Sequence, residues 1–530
     1  MASSWSRKRM LYVSAGTVLV VLATAGTAAA ARTASGATAA AGVQRTLSAA
    51  PLGVNVAPWD YVYYGSSSVN VIQPLLKKAG INQLRYGGGS VADAYNWQAN
   101  RDIESCLPDN PTASFTSSCS SSDALKFAQF SKQARAIGAQ SFVTVNYGSG
   151  TPAMAGAWVK QATHTAGQGV GLWEIGNENY GCWEVNNELA GPPANYSGYL
   201  PMGGNNTTCP MATEGVPTGM QQVATSYAVH AKQFMTAMKA ANPKAVIGVP
   251  YAFGSDAPGA SVAGNTIWNN TVLKADAKYV SFVDAHYYPY GFAGSTGGSN
   301  PTDQQLLQTL LKIPSLAWEI RNELHLYDPG ATFVVGETGM SYNETMTTCT
   351  PTGALYAAGD LLSWLAAGAL FAAGDVLSWL AAGARSVDWW DMNNYGNTGS
   401  ACTSPDDGLF TSSGKPVAET PYYGYLLASM LAQPHAKLST LTTSDQANVL
   451  AFQSTLTNGK HVVALFNTNT GAAKRVKFSS LLSGTLSVWR YSAGNQNAAK
   501  SKIVTWTTTT TSVKAGITLP AASLTILKTR

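Results

Sequence analysis

Charged side chains are scarce in this chain. They make up 12% of 530 residues, about half of the ~25% usual in soluble globular proteins. A surface so poor in charge is built from Ser, Thr, Asn, Gln and Gly. The net charge is only +5, and no Lys/Arg block follows the amino-terminal segment. The electrostatic footprint of a nucleic-acid-binding protein is therefore missing. No C-x-x-C occurs, and the 6 His are not gathered near Cys, which argues against a zinc site. No Gly-rich dinucleotide loop follows the first strand candidate, "PLGVNVAPWDY". That counts against a doubly wound open sheet, the nearest rival architecture. Beyond the amino-terminal segment, no apolar run is long enough to be an obvious membrane span.

What is present begins with a leader. Arg7, Lys8 and Arg9 precede "MLYVSAGTVLVVLATAGTAAAA", which ends in alanines suited to cleavage near Ala28–Ala31. Residues 1–31 read as a signal peptide, so the mature protein is expected to be secreted and free of the membrane. An uncleaved anchor is the alternative, because the stretch approaches the ~20 residues of a span. Residues 32–50 read as a disordered lead-in, although the segment around 44–52 is also able to add to a β domain. The 6 cysteines suit an oxidising compartment. Pairing of sequence neighbours gives Cys106–Cys119, Cys182–Cys209 and Cys349–Cys402.

From 51 to about 425, eight short apolar runs alternate with stretches of helical patterning. The runs are "PLGVNVA", "INQLRYG", "QSFVTVNYG", "VGLWEIGNE", "AVIGVPY", "VSFVDAHYY", "TFVVGET" and "RSVDWWDMNN". Helix candidates between them include "SDALKFAQFSKQARAIG", "MAGAWVKQATHTAG" and "SYAVHAKQFMTAMKAANP". This alternation predicts a (β/α)8 barrel. From 426 to 530 the helical period disappears, and short strands separated by Gly, Asn and Ser turns predict a β-sandwich. The expected fold class is thus α/β, a TIM barrel followed by an all-β domain.

One repeat interrupts the pattern. "LYAAGDLLSWLAAGA" at 355–369 is followed at once by "LFAAGDVLSWLAAGA" at 370–384. A single helix of both copies would run ~45 Å, and the copies would be ~60° out of phase, unable to bury one face. The barrel is expected to use one copy as its seventh helix and to displace the other.

In a barrel, working side chains gather at the carboxyl ends of the strands. Reading those ends in order gives Arg85 with "YGGGS", then Asn146 and Tyr147, then Asn177 and Glu178. His286 and Tyr288 follow on the sixth strand and Glu337 on the seventh. Trp389, Trp390, Asp391, Asn393 and Asn394 follow on the eighth. Two glutamates facing each other across a barrel mouth are what glycosidic-bond cleavage requires, one protonated and one ionised. Asn146 and the other amides offer hydrogen bonds to sugar hydroxyls, and Trp390 a face for a sugar ring. The blander readings are specific. Glu178 would cap a helix and Glu337 would sit in a turn. Glu174, low in its strand, would be a buried ion-pair partner, and Asp284 would hold the barrel. Trp389 and Trp390 alternate across a strand, so only one of them faces the mouth.

"WEIGNEN", "HYY" and "GET", in this order on strands four, six and seven, resemble the clan A retaining glycoside hydrolases. "VNYGSGTPAMAGAWV" and "SVDWWDMNN" resemble the secreted bacterial α-L-arabinofuranosidase-like group. The resemblance implies Glu178 as acid/base and Glu337 as nucleophile. It implies Asn177 on the sugar 2-hydroxyl, and His286, Tyr288 and Arg85 around the nucleophile. It implies no metal and no organic cofactor, and a carbohydrate substrate as partner. The expected activity is hydrolysis of plant-type polysaccharide or oligosaccharide by double displacement, with an α-L-arabinofuranosidase as the named case. The alternatives are an endo-acting galactanase or xylanase, and a carbohydrate-binding protein whose barrel the duplication has disabled.

Overall fold

The structure is a computed structural model. It describes residues 44–58, 60, 66–102, 125–181, 184, 217–252, 262–290, 301–340, 350–367, 383–393, 408–411, 415–493 and 503–530. Residues 1–31, read as a leader, all six cysteines and most of the second repeat copy lie outside the described residues, as do Asn394 and the 32–43 part of the segment read as a lead-in.

In chain order the strands are β1 (Arg45–Thr46), β2 (Leu52–Val56), β3 (Gln83–Tyr86), the short pair β4 (Tyr95–Asn96) and β5 (Arg101–Asp102), β6 (Gln140–Val145), β7 (Leu172–Ile175), β8 (Ile247–Tyr251), β9 (Phe282–Tyr287), β10 (Thr332–Thr338) and β11 (Val387–Trp389). Eight of them, β2, β3 and β6 to β11, close into a parallel barrel, β9 pairing with β10 and β11 with β2. All eight predicted runs are these strands. They read as continuous apolar segments because each is buried on both faces, by the barrel interior and by helices outside. The three helix candidates appear as Phe127–Ile137, Pro152–His164 and Pro217–Ala241. The second starts at Thr151–Pro152: Thr151 accepts from Met154 N at 3.2 Å, and Pro152 occupies the first turn, where a missing N–H costs nothing.

The barrel's seventh helix is Pro351–Ala366, which contains most of the first repeat copy. Every residue in it is buried, Asp360 and Ser363 included. It packs on helix Thr420–Ala428, on the barrel, and on the second domain. The next described residues, Gly383 and Ala384, lie beside the point where the helix ends. Ala384 N donates to Trp364 O at 3.1 Å. The eighth strand, β11, is in place between β10 and β2.

The second domain adds β12 (Lys437–Thr440), β13 (Val449–Thr455), β14 (His461–Asn467), β15 (Lys474–Val476), β16 (Thr485–Ser492), β17 (Val504–Thr509), β18 (Ile517–Leu519) and β19 (Ser523–Thr529). Seven strands form one antiparallel sheet, β1-β12-β13-β14-β19-β16-β17, and β15 and β18 form a ribbon over it. Alternation along β14 shows the layering. Val463 and Leu465 belong to the cluster under the ribbon, whereas Val462, Ala464 and Phe466 join the barrel's core cluster. The described residues all belong to one contact-dense unit, Ala39–Arg530.

Two boundaries differ from the sequence reading. Residues 44–50, assigned to the lead-in, are ordered: β1 pairs with β12, and Leu47 is buried. Their partner strand lies about 390 residues further on, in the β domain that the 44–52 segment is also read as able to join. The domain boundary set at 425/426 falls inside helix Thr420–Ala428, which packs on the barrel helix, and the sheet domain starts at Lys437. A short helix, Thr510–Lys514, also replaces the end of the run read as a strand.

Candidate active site

Arg85 organises the barrel mouth. It is 1% exposed, and its guanidinium reaches six groups, His286 Nε2 among them at 3.5 Å. Nη1 donates to Asn55 Oδ1 and Glu337 Oε1 at 2.9 and 2.8 Å, and Nη2 donates to Glu174 Oε2 and Asn177 Oδ1, both at 2.9 Å. Nε lies 3.5 Å from Asp284 Oδ2. A planar cation with fixed donors suits such a cluster of oxygens. Burial by itself works against the charge, but Glu174, Glu337 and Asp284 outweigh it and hold Arg85 well above its usual range. Burial and the neighbouring Asp284 push Glu174 up to about 8, with Arg85 opposing. Glu174 and Asp284 are therefore structural partners deep in the barrel.

Glu337 owes its direction to a β-bulge. The β9–β10 register shifts between Val335 and Glu337, and bulges re-aim side chains in this way. Gly336 is required there, because a Cβ would come 2.0 Å from Asp284 Oδ2. Asn55 Nδ2 supports the bulge by donating to Gly336 O at 2.7 Å. The re-aimed carboxylate takes one donor on each oxygen: Arg85 on Oε1 and Tyr288 OH on Oε2, at 2.9 Å.

Glu178 ends a strand too, but by another device. Gly176 has φ 74° and Glu178 φ 43°. The first excludes any other residue, since a Cβ would meet Asn179 Oδ1 at 2.0 Å. The second is a strained conformation for glutamate, of the kind kept where surroundings over-determine it. Asp93 supplies that frame. Its carboxylate accepts from the backbone N–H groups of Tyr147, Gly148 and Asn177 and from Asn179 Nδ2. Burial pushes Asp93 up to about 7 against those donors. Glu178 Oε1 meets His286 Nδ1 at 2.8 Å and accepts from Tyr180 OH at 3.1 Å. The same His286 nitrogen lies 3.5 Å from Glu337 Oε2. Burial disfavours the imidazolium, but Glu337, Asp284 and Glu178 reverse that and raise His286 well above 6.5. One carboxylate oxygen of Glu178 and one of Glu337 lie within 4.8 Å of each other.

The structure thus brings Glu178, Glu337, Asn177, His286, Tyr288 and Arg85 together. Trp390 stands at the same wall, half-buried: a Cβ on Gly89 would touch its ring at 2.8 Å and Glu337 Oε1 at 3.6 Å. The glycines of "YGGGS" let backbone approach both. Trp389 is core, packed on Tyr356. Asn146 sits apart from the cluster. Its Oδ1 accepts from Ser149 N and Gly150 N, and its Nδ2 donates to Tyr95 O and Ser149 Oγ, so its amide shapes the loop after β6. Sequence reasoning missed Asn55, Asp93, Tyr180 and Glu184. The only signals were an acidic residue after "YGGGS" and the polar run continuing past "GNE".

No protein-family model matches the chain, and no curated protein matches it in sequence. Solved structures do match. The α-L-arabinofuranosidase of Thermotoga maritima aligns at 15% identity and TM-score 0.62, over 92% of this chain and 98% of that one. A family 51 α-L-arabinofuranosidase from Bifidobacterium longum aligns at 15% and 0.62, over 93% and 98%. A family 44 endoglucanase from Clostridium thermocellum aligns at 14% and 0.53, over 92% and 97%. The chain therefore has the two-domain fold of these proteins, the barrel with its attached β-sandwich. The fold and the order of motifs on β7, β9 and β10 are those implied by the clan A resemblance.

Proposed function

We propose that this protein is a retaining glycoside hydrolase. One observation carries the reading: Glu178, just after β7, and Glu337, at the end of β10, have carboxylate oxygens within 4.8 Å of each other. Retaining enzymes place the two carboxyls ~5–5.5 Å apart, and inverting ones ~6.5–9.5 Å, to admit a water. Glu337, held by Arg85 and Tyr288, attacks the anomeric carbon. Glu178, the more open of the two at 15% side-chain exposure against 7%, gives its proton to the leaving oxygen. Glu178 then takes a proton from water, which attacks the glycosyl ester and frees the sugar with its configuration kept. Trp390 offers a face to the sugar ring. Plant-type arabinofuranosides are the favoured substrates, on the likeness to arabinofuranosidases. The basic and apolar leader and the charge-poor composition support export and a neutral polysaccharide.

The test is hydrolysis of a panel of aryl furanosides and pyranosides by wild type and Glu337→Ala, with the product anomer followed by proton NMR. Release of one sugar with retention, absent in the variant, is expected. An inverted product, or full activity in Glu337→Ala, overturns the reading. Turnover of arabinan, galactan or xylan but of no aryl glycoside assigns endo action instead.

A further inference from the structure

Glu184 lies six residues beyond Glu178 in the loop after β7 and is 1% exposed. Its Oε1 accepts from Ser90 Oγ at 2.7 Å and from Asn177 Nδ2 at 3.1 Å. Ser90 belongs to the 3-10 turn Gly89–Asp93 that follows β3, so one carboxylate oxygen joins two rim loops. The neighbours on both sides of this bridge are the two reacting carboxyls. Asn177 precedes Glu178 in the chain, and Gly89, which precedes Ser90, borders Glu337 Oε1 and Trp390.

The bridge fixes the Asn177 amide in one sense. Its Oδ1 accepts from Arg85 Nη2 at 2.9 Å, and its Nδ2 donates to Glu184. A flipped amide would set N–H against guanidinium and oxygen against carboxyl. Of the two hydrogens on Nδ2, one is used by Glu184 and the second is left to point elsewhere. Arg85 alone would tolerate some rotation of Asn177; the second tether removes it.

Glu184 Oε2 is buried and has no hydrogen-bond partner among the described residues. A half-satisfied ionised carboxylate is costly to bury. Among the described residues, the groups facing Glu184 are the carboxyls of Asp93 and Glu178, the Tyr180 hydroxyl, and the donors Ser90 and Asn177. Burial, then Asp93 and Glu178, push it well above 4.5, against those two donors.

We propose that Glu184 is a positioning residue of the glycosidase site, which locks the Asn177 amide so that its second Nδ2 hydrogen meets the hydroxyl beside the anomeric carbon of the bound sugar. The proposal rests on the hydrolase reading above. Only the acceptor oxygen of Glu184 is needed for this task.

The full-length protein tests it, using the aryl glycoside that wild type cleaves and the 2-deoxy form of the same glycoside. Glu184→Gln keeps the acceptor and Glu184→Met fills the same volume without one. Glu337→Ala is the reference. Misplaced groups cost up to ~100-fold in rate, so Glu184→Met is expected to lower kcat by about 10- to 100-fold with KM little changed. Glu184→Gln should stay within about threefold of wild type. On the 2-deoxy substrate, Glu184→Met and wild type should have equal kcat, because the hydroxyl that Asn177 serves is gone. Equal losses on both substrates would mark a merely structural role and overturn the proposal. So would wild-type kcat in Glu184→Met, or a Gln variant as impaired as Met. If Glu337→Ala remains active, the hydrolase reading itself fails; if it is inactive while Glu184→Met matches wild type, only the Glu184 proposal fails.

Discussion

Arg85 Nη1 lies 2.8 Å from Glu337 Oε1, and the two residues are 252 positions apart in the chain. The contact joins β3 to β10 across the barrel interior, and both side chains are nearly closed off from water. Glu174 and Asp284 share the same cation. Removing one partner of a buried ion pair costs ~3–5 kcal/mol, because the remaining charge stays buried and uncompensated. Arg85→Met should therefore lower the unfolding free energy read from urea denaturation by that amount and abolish turnover. An unfolding curve superimposable on wild type would remove Arg85 from its organising role.

Tyr180 offers a cleaner change. Its hydroxyl donates to Glu178 Oε1 at 3.1 Å, while its ring packs edge-on against Trp268. Phenylalanine keeps the ring and removes the donor. A hydrogen bond to a carboxylate favours its charged form, so in Tyr180→Phe Glu178 should hold its proton to higher pH. The alkaline limb of the kcat/KM profile is expected to move to higher pH. A limb that stays put or moves down would show that Tyr180 does not tune the acid.

Asp360 makes stability depend on pH. It lies in the all-buried helix Pro351–Ala366, with Oδ2 3.0 Å from Thr338 Oγ1. Burial pushes it from 3.8 to about 8, against hydrogen bonds from Thr338 and Trp364. The folded state thus keeps a proton that the unfolded chain has lost. The associated stability is complete below about 3.8 and disappears as pH rises through about 8. The wild-type melting temperature should fall between pH 5 and pH 9, and Asp360→Asn should gain on wild type over that interval. A constant difference between the two proteins at both pH values would contradict this assignment.

The duplication is expected to be dispensable. The first copy supplies the barrel helix, and Gly383–Ala384 repeat the Gly-Ala pair found at 368–369. Arg45 Nη1 ties the junction by donating to Leu365 O and Ala384 O, at 2.8 and 2.9 Å. A Cβ on Gly383 would come 2.7 Å from Ala367 O, so the two chain ends already adjoin. Deleting residues 368–382 joins Ala367 to Gly383 without changing the local sequence. The deletion variant should melt within a few degrees of wild type and keep kcat unchanged. A kcat loss of about tenfold or more would give the second copy a role in the site.

The strands were legible because their burial is local in cause. Each barrel strand is an apolar run of four to seven residues, apart from the three-residue β11, and the runs alternate with helical patterning. The two glutamates were legible because strand ends in a barrel converge. The companions that make them a site were less so. Asn146 occupies a similar strand end, yet its amide is used within its own loop. Glu184 and Asp93 lie off the strand ends, in loops whose course no periodicity describes.

By itself, then, the sequence determined the two architectures, the order of the strands and which positions carry carboxylates at the rim. Hydrophobic period and turn chemistry act over a few residues, so a linear reading captures them. Only the tertiary structure decided which way those carboxylates point. The bulge at Gly336, the left-handed turn at Glu178 and the guanidinium shared by Glu337, Glu174 and Asp284 arise from contacts between strands far apart in the chain. Those contacts exist only once the barrel has closed and burial brings Arg85 against the carboxylates and amides inside it.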